Sequence, residues 1–204
     1  MAVITISREF GAGGKTLGER IAEKLGYDYI DKEIITKIAE KIKVSSEDVL
    51  GYEKYGSTKL MKFLDKIVSS DFIDRLVSDK YGYMDEDRYA EMLKAIIREL
   101  YDHGNVVIIG RGSQYILRGY ENAWHILLIA DNDYRLRFVT DKLQYDEKDA
   151  MALIRQEDKI RERFLSHFDD NLSQNDPRLY DLVINMSRVN LDKAQDMMLK
   201  LVSQ

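Results

Sequence analysis

Gly11, Gly13, Gly14, Lys15 and Thr16 fall within six consecutive residues of the stretch ITISREFGAGGKTLGERIAEKLG, residues 4–26. Glycines so placed let the backbone take positive φ and aim successive N–H groups at one point, where an anion can sit. The run before them, Ala2 to Ile6, is short, β-branched and apolar, which suits a strand buried on both faces of a parallel sheet. From Thr16 the pattern turns helical: Leu17, Ile21, Ala22 and Leu25 share one face, Glu19, Arg20, Glu23 and Lys24 lie opposite, and Gly26 ends it. Strand, glycine loop and helix N-terminus in this order build a cradle for phosphate. The tail Gly14-Lys15-Thr16 fits that use, with Lys15 to neutralise β- and γ-phosphate charge and the Thr16 hydroxyl to ligate magnesium. The full motif G-x-x-x-x-G-K-[ST] asks for glycine where Glu9 stands. A plainer alternative is a tight strand-to-helix turn with Lys15 as a solvated first-turn residue.

The elements that would position this loop are legible in the apolar pattern. Tyr27 to Asp31 reads as a short strand and Lys32 to Lys43 as a helix through Ile34, Ile35, Ile38, Ala39 and Ile42. Ser45-Ser46-Glu47-Asp48 resembles a capped helix start, and Lys59 to Val68 is amphipathic through Leu60, Phe63, Leu64 and Ile67. Periodicity weakens between Asp71 and Tyr83, so residues 45–84 read as an inserted helical region ending in a loop. Asp85 to His103 is a long helix ended by Gly104, and Asn105 to Ile109 is a buried strand with Gly110-Arg111-Gly112-Ser113 at its carboxyl end. His125 to Ala130 is another strand, followed by helices over Asn132 to Lys142 and Asp146 to His167. Asp169 to Arg178, polar and holding the one proline, Pro177, reads as a loop; Leu182 to Asn185 closes the strand set and Leu191 to Val202 the helices. Strands alternating with helices imply an α/β protein with a parallel sheet covered on both faces. Tyr52, Tyr55, Tyr81, Tyr83 and Tyr89 suit the packing of a helical insert better than a base pocket, and Trp124 suits a core or interface.

Composition narrows the function classes. With 204 residues, 45% hydrophobic and 33% charged, the chain suits one globular core with room for a small insertion. A formal charge of −5 argues against a general nucleic-acid binder. There is no cysteine, which rules out disulfides, thiolate metal sites and thiol catalysis. His103, His125 and His167 lack ligand-like spacing. A strand directly after Met1 leaves no room for a signal peptide, and no apolar run is long enough to span a membrane, so a cytoplasmic location is expected. The sequence is silent on oligomeric state.

In parallel sheets ligands bind beyond the carboxyl ends of the strands. Those ends here supply Ser7 to Thr16, Asp31-Lys32, Gly110-Arg111 and Asp131, while a late helix offers Lys159, Arg161 and Arg163. Phosphoryl transfer needs such an inventory, because it depends on positioning polyanions and neutralising their charge. Arg111 at a strand end beside a phosphate loop has little structural purpose, whereas Asp31 is equally explained as a cap for the helix at Lys32. Ion pairs on a helix surface explain Lys159, Arg161 and Arg163 almost as well as phosphate contact, given Glu157, Asp158 and Glu162 among them.

With these residues in view, the chain resembles the cytidylate kinase-like branch of the P-loop nucleoside monophosphate kinases. ITISREFGAGGKTLGERIAEKLG, YDYIDKEII, VVIIGRGSQYIL, HILLIAD and YDLVINMSRV follow the family's order over nearly the whole chain. The resemblance implies a single domain over 1–204 with the three-layer P-loop NTPase sandwich and a parallel sheet of about five strands. It also implies an acceptor-binding helical insertion at about 32–85 and an arginine-bearing lid at about 146–178. It further implies ATP and Mg2+ as cofactors and phosphoryl transfer to a nucleoside monophosphate, CMP or dCMP first, with small nucleotides rather than nucleic acid or membrane as partners. Gly11, Ala12, Gly13, Gly14, Lys15 and Thr16 would cradle the donor, with Thr16 and Asp31 serving the metal. Asp31, Lys32, Lys37 and Arg111 would hold the acceptor, and Lys15, Arg111, Arg161 and Arg163 would carry the catalytic charge.

The sequence departs from the family's loop Gly-Ala-Gly-Lys-Gly-Thr, since Gly11-Ala12-Gly13-Gly14-Lys15-Thr16 sets Gly14 under the lysine. Two registers are open: Lys15 does the lysine's work from a loop one residue longer, or the lysine is absent and Lys15 points elsewhere. Gly112 replaces the aspartate of Gly-Arg-Asp, and Lys32 replaces the serine of Asp-Ser-Gly. Two rival readings stand beside the kinase: a nucleotide-binding regulatory module without turnover, and a kinase for a non-nucleotide small acceptor.

Overall fold

The apolar runs read as buried strands form a single parallel sheet. A computed structural model describes residues 1–47, 86–169 and 173–203. The strands are β1 (Val3–Arg8), β2 (Asp28–Ile30), β3 (Val106–Ile109), β4 (Ala123–Ile129) and β5 (Leu182–Asn185), in the order β2-β3-β1-β4-β5. The helices are α1 (Gly14–Leu25), α2 (Lys32–Glu47), α3 (Glu86–His103), the one-turn α4 (Ser113–Ile116), α5 (Asn132–Leu143), α6 (Glu147–Ser166) and α7 (Leu191–Val202). A 3₁₀ turn at Pro177–Leu179 precedes β5.

Successive strand side chains point to opposite faces, and each face meets its own helices. Val3, Val106 and Ile108 join Ile35 and Ile38 of α2 and Leu93, Ile96, Ile97 and Leu100 of α3 in one core. Ile4, Ile6, Val107 and Ile109 join Leu17 and Ile21 of α1 and Ala194 and Met198 of α7 in the other. Trp124 packs at the margin of this second core. The three-layer α/β sandwich of a P-loop NTPase is therefore present, with both faces of the sheet dry. Among the described residues no helix is long and apolar enough to cross a membrane.

Several bounds differ from the pattern-based expectation: β1 runs on to Arg8, β4 begins at Ala123 rather than His125, and the one-turn α4 was not expected. The first helix begins at Gly14 rather than Thr16, because Gly13 at φ 82° serves as N-cap and glycines carry no periodic signal. α2 runs on through Ser45 and Ser46 to Glu47 instead of stopping near Lys43. Serines that would cap a helix start do not break one already formed when no glycine or proline accompanies them. The expected helix at 59–68, the loop at 71–83 and the tyrosines at 52, 55, 81 and 83 lie outside the described residues.

The strand order sets the site. The chain leaves β1 for β2 across β3, and leaves β3 for β4 across β1 in the opposite sense. This reversal opens a crevice at the carboxyl ends of β1 and β3, where open parallel sheets bind ligands.

One polar pair lies inside the sheet. Thr5 on β1 and His125 on β4 are both buried, and Thr5 Oγ1 is 2.7 Å from His125 Nδ1. His125 Nε2 faces the Leu117 carbonyl at 3.3 Å, so Nε2–H donates there and Nδ1 accepts from the threonine hydroxyl. Burial lowers the His125 pKa, with Asp181 opposing the shift. A neutral imidazole favoured by the fold gives stability that is full above its unfolded value, about 6.5, and is lost as pH falls below it. The wild type should accordingly lose more urea stability than His125→Gln between about pH 7 and pH 5. Parallel losses in the two proteins would show that His125 does not contribute to acid sensitivity.

Candidate active site

The loop after β1 is tied down on two sides by side chains. Glu9, where a glycine was expected by the motif, accepts a hydrogen bond through Oε2 from the Ala130 N–H at 2.8 Å, while its own N–H donates to Leu128 O at 3.0 Å. The carboxylate thereby fastens the loop to the end of β4. On the other side Arg135 of α5, only 4% exposed, donates through Nε to the Phe10 carbonyl at 2.7 Å. Its Nη2 meets Asp158 of α6 at 2.6 Å. Phe10 itself packs with Val139 of α5 and Ala150 and Ile154 of α6. The loop and α6 are thus joined through one buried guanidinium and one small apolar cluster.

Beyond the loop, Gly110, Arg111 and Gly112 take φ of 68°, 59° and 72° in succession at the end of β3. A non-glycine residue in that region is uncommon and costs about 1–3 kcal/mol; Arg111 shares it with Asn105, Asn122 and Gln144 among the described residues. The Ser113 hydroxyl donates to Gly110 O at 2.8 Å and supports the turn. Arg111 lies over the Phe164 ring of α6, 5.0 Å from its centroid. Phe164 in turn contacts Phe168 edge-on at 5.4 Å. A Cβ on Gly112 would come within 2.7 Å of the Phe168 ring, which explains physically why no aspartate stands there.

Between the ends of β1 and β3 and α6 lies a cavity of about 210 Å³. Arg8, Arg111, Arg161 and Lys32 line it on one side of the charge balance and Glu157 and Asp158 on the other, a net excess of cations, with Ser7, Gln114 and Tyr180 as further polar walls. Arg161 donates through Nη1 to the Arg8 carbonyl. Burial, then the nearby guanidiniums of Arg161 and Arg111, push the Arg8 pKa down to about 10. Burial lowers that of Arg161 as well, against the pull of Asp158 and Glu9. Buried like charges stabilise one another poorly and favour the entry of an anion.

The structure brings together some of the residues singled out in sequence and leaves others apart. Arg111, Arg161 and Lys32 share the cavity. Gly11, Ala12, Gly13 and Gly14 form the loop, while Lys15 and Thr16 are exposed in the first turn of α1. Asp31 does cap α2, its Oδ1 accepting from the N–H groups of Glu33 at 2.9 Å and Ile34 at 3.1 Å. Lys37, Lys159 and Arg163 are exposed and do not line the cavity. Two positions along a helix turn the side chain by about 200°, so Arg163 cannot share the direction of Arg161. Arg8, Arg135 and Gln114 were not singled out in sequence. Arg8 and Arg135 read locally as polar residues at a strand end and in a helix, and only position shows their use.

Comparison with known proteins agrees with this fold. The family model described as the cytidylate kinase-like family matches residues 3–188. A solved structure of an uncharacterized protein from Eubacterium ventriosum aligns over 100% of this chain and 99% of its own, at 22% identity and a TM-score of 0.70. A shikimate kinase from Bacteroides thetaiotaomicron aligns over 100% of this chain and 99% of its own, at 17% identity and a TM-score of 0.50. At these identities the likeness is one of fold. No curated protein matches the chain in sequence.

The Arg135 clamp has a measurable consequence. Arg135→Met keeps the bulk but leaves the Phe10 carbonyl and Asp158 without their donor. Because the Asp158 side chain is 32% exposed, the loss falls below that of a fully buried pair. Unfolding in urea should show a cost of about 2 kcal/mol. Part of it should return in Arg135→Met/Asp158→Asn, and a single variant as stable as wild type would show the clamp to be dispensable.

Proposed function

Because the chain belongs to the cytidylate kinase-like family, we propose that it transfers the γ-phosphoryl group of ATP to a nucleoside monophosphate, CMP or dCMP first. The observation that carries this reading is the cluster of Arg8, Arg111 and Arg161 beside a glycine loop, a buried concentration of positive charge suited to two polyanions meeting end to end. The fold and the family support a P-loop kinase acting on a small acceptor, and the nucleotide identity is the further step of the proposal.

Bound Mg–ATP would supply the transferred group: an acceptor phosphate oxygen bonds the γ-phosphorus as the bond to the β–γ bridging oxygen breaks, leaving that electron pair on ADP. An ionised acceptor phosphate has no proton to lose, so no general base is required of the protein. N–H groups of Gly11 and of Gly13 to Lys15 would hold the donor phosphates at the N-terminus of α1, the Ala12 N–H being bonded to the Glu9 carbonyl. Arg111 and Lys32 would hold the acceptor, with Lys37 adding charge from farther along α2. Arg161 would close on the developing charge from the lid helix, and Arg163 would contribute at longer range.

Among the described residues there is no cluster of three or more metal-ligating side chains. That composition still fits Mg2+, which keeps several waters and relies on substrate phosphates with one or two protein ligands. Thr16, exposed in the first turn of α1, and Asp31, whose Oδ2 takes no part in the cap bonds, would be those ligands.

Transfer from Mg–ATP to CMP, dCMP, UMP and AMP tests the reading. Product should form fastest with CMP or dCMP, and Arg111→Ala should lower kcat/KM by about a hundred-fold or more. ATP binding with no transfer to any of the four acceptors would overturn it.

A further inference from the structure

In the register that sets Gly14 where a phosphate loop carries its lysine, the motif G-x-x-x-x-G-K sets its first glycine on Arg8. The two positions hold exchanged types, a long cation first and a glycine last. They also touch. A Cβ on Gly14 would stand 2.8 Å from Arg8 Cγ, 3.1 Å from its Cβ and 3.2 Å from its Cδ. The stem of Arg8 therefore lies over α1's first residue, in the space that a side chain at position 14 would enter. From there Arg8 crosses to the end of β3, where a Cβ on Gly110 would meet its Nη1 at 2.3 Å. Its head lines the cavity with Arg111 and Arg161, while Lys15 is exposed and outside that lining.

We propose that Arg8, rather than Lys15, is the cation that grips the transferring phosphoryl group, an arginine at the loop's first position standing in for the lysine at its last. The inference rests on the kinase reading above. Arginine suits the position for a reason of charge. Two neighbouring guanidiniums and burial depress the Arg8 pKa, yet at about 10 it stays protonated at neutral pH. A lysine starts about two units lower, so the same burial and neighbours would bring it closer to neutral pH. Arg8 also offers two nitrogens toward phosphate oxygens, one fork spanning loop and acceptor side.

The test compares Arg8→Ala, Arg8→Lys, Arg8→Gly, Lys15→Ala and the exchange Arg8→Gly/Gly14→Lys, with thermal unfolding as a check of fold. Arg8→Ala should lower kcat by about a hundred-fold or more. The loss should exceed that of Lys15→Ala by at least about ten-fold. The exchange should regain about ten-fold or more over Arg8→Gly, since it restores the cation from the other position. A loss in Lys15→Ala equal to or greater than that in Arg8→Ala, or no gain in the exchange, overturns the inference and leaves the kinase reading standing. Arg8→Lys, which keeps the stem, carries the comparison if Arg8→Ala does not fold. If the wild type transfers to no acceptor, the kinase reading falls, and calorimetry with ATP and ADP decides the inference separately. Arg8→Ala should then weaken ATP at least about ten-fold more than ADP. Equal weakening of the two overturns it.

Discussion

Three guanidiniums, those of Arg8, Arg111 and Arg161, share one crevice between the ends of β1 and β3. Charges of one sign buried together are costly, and much of the surrounding structure can be understood as what holds them there. Arg161 donates to the Arg8 carbonyl, and Arg111 lies over Phe164. The Arg8 stem rests on the bare backbone of Gly14. Glu9 accepts from the Ala130 N–H and Asp158 from Arg135. Asp158 also lines the cavity with Glu157, so the cationic lining carries carboxylates within it.

The same arrangement explains the glycines. Gly14 and Gly110 sit where any Cβ would strike Arg8, and Gly112 where it would strike Phe168. At Gly14 the space is taken by the Arg8 stem, and at Gly112 by the Phe168 ring from the chain just after α6.

α6 is tied to the loop after β1 and to the end of β3 through a row of its own side chains. Asp158, Arg161 and Phe164 fall at helical spacing along one side of α6 and meet, in order, Arg135, Arg8 and Arg111. Anion entry that drew the guanidiniums together would be felt along that row, because the residues that contact the cavity also anchor the helix. Arg163, on another side, is exposed.

The sheet, most helix bounds and the glycine loop before α1 were legible in sequence because they are local. Buried parallel strands are continuous apolar runs, amphipathic helices repeat every few residues, and a glycine-rich turn before Lys15 and Thr16 is contiguous. The glycine-led start of α1 and the passage of α2 through Ser45 and Ser46 escaped because glycine carries no periodic signal and serine is ambiguous between cap and interior. A strand end marked Arg111 as a candidate, and the charged late helix offered Arg161 together with Lys159 and Arg163. What only the tertiary structure decided was company and direction. The order β2-β3-β1-β4-β5 brings positions 8, 111 and 161 into one crevice, burial and mutual repulsion then depress the Arg8 guanidinium, and Gly14 acquires meaning from a side chain six residues earlier. Charge acts through space, and a chain's own order does not reveal which of its cations will share that space.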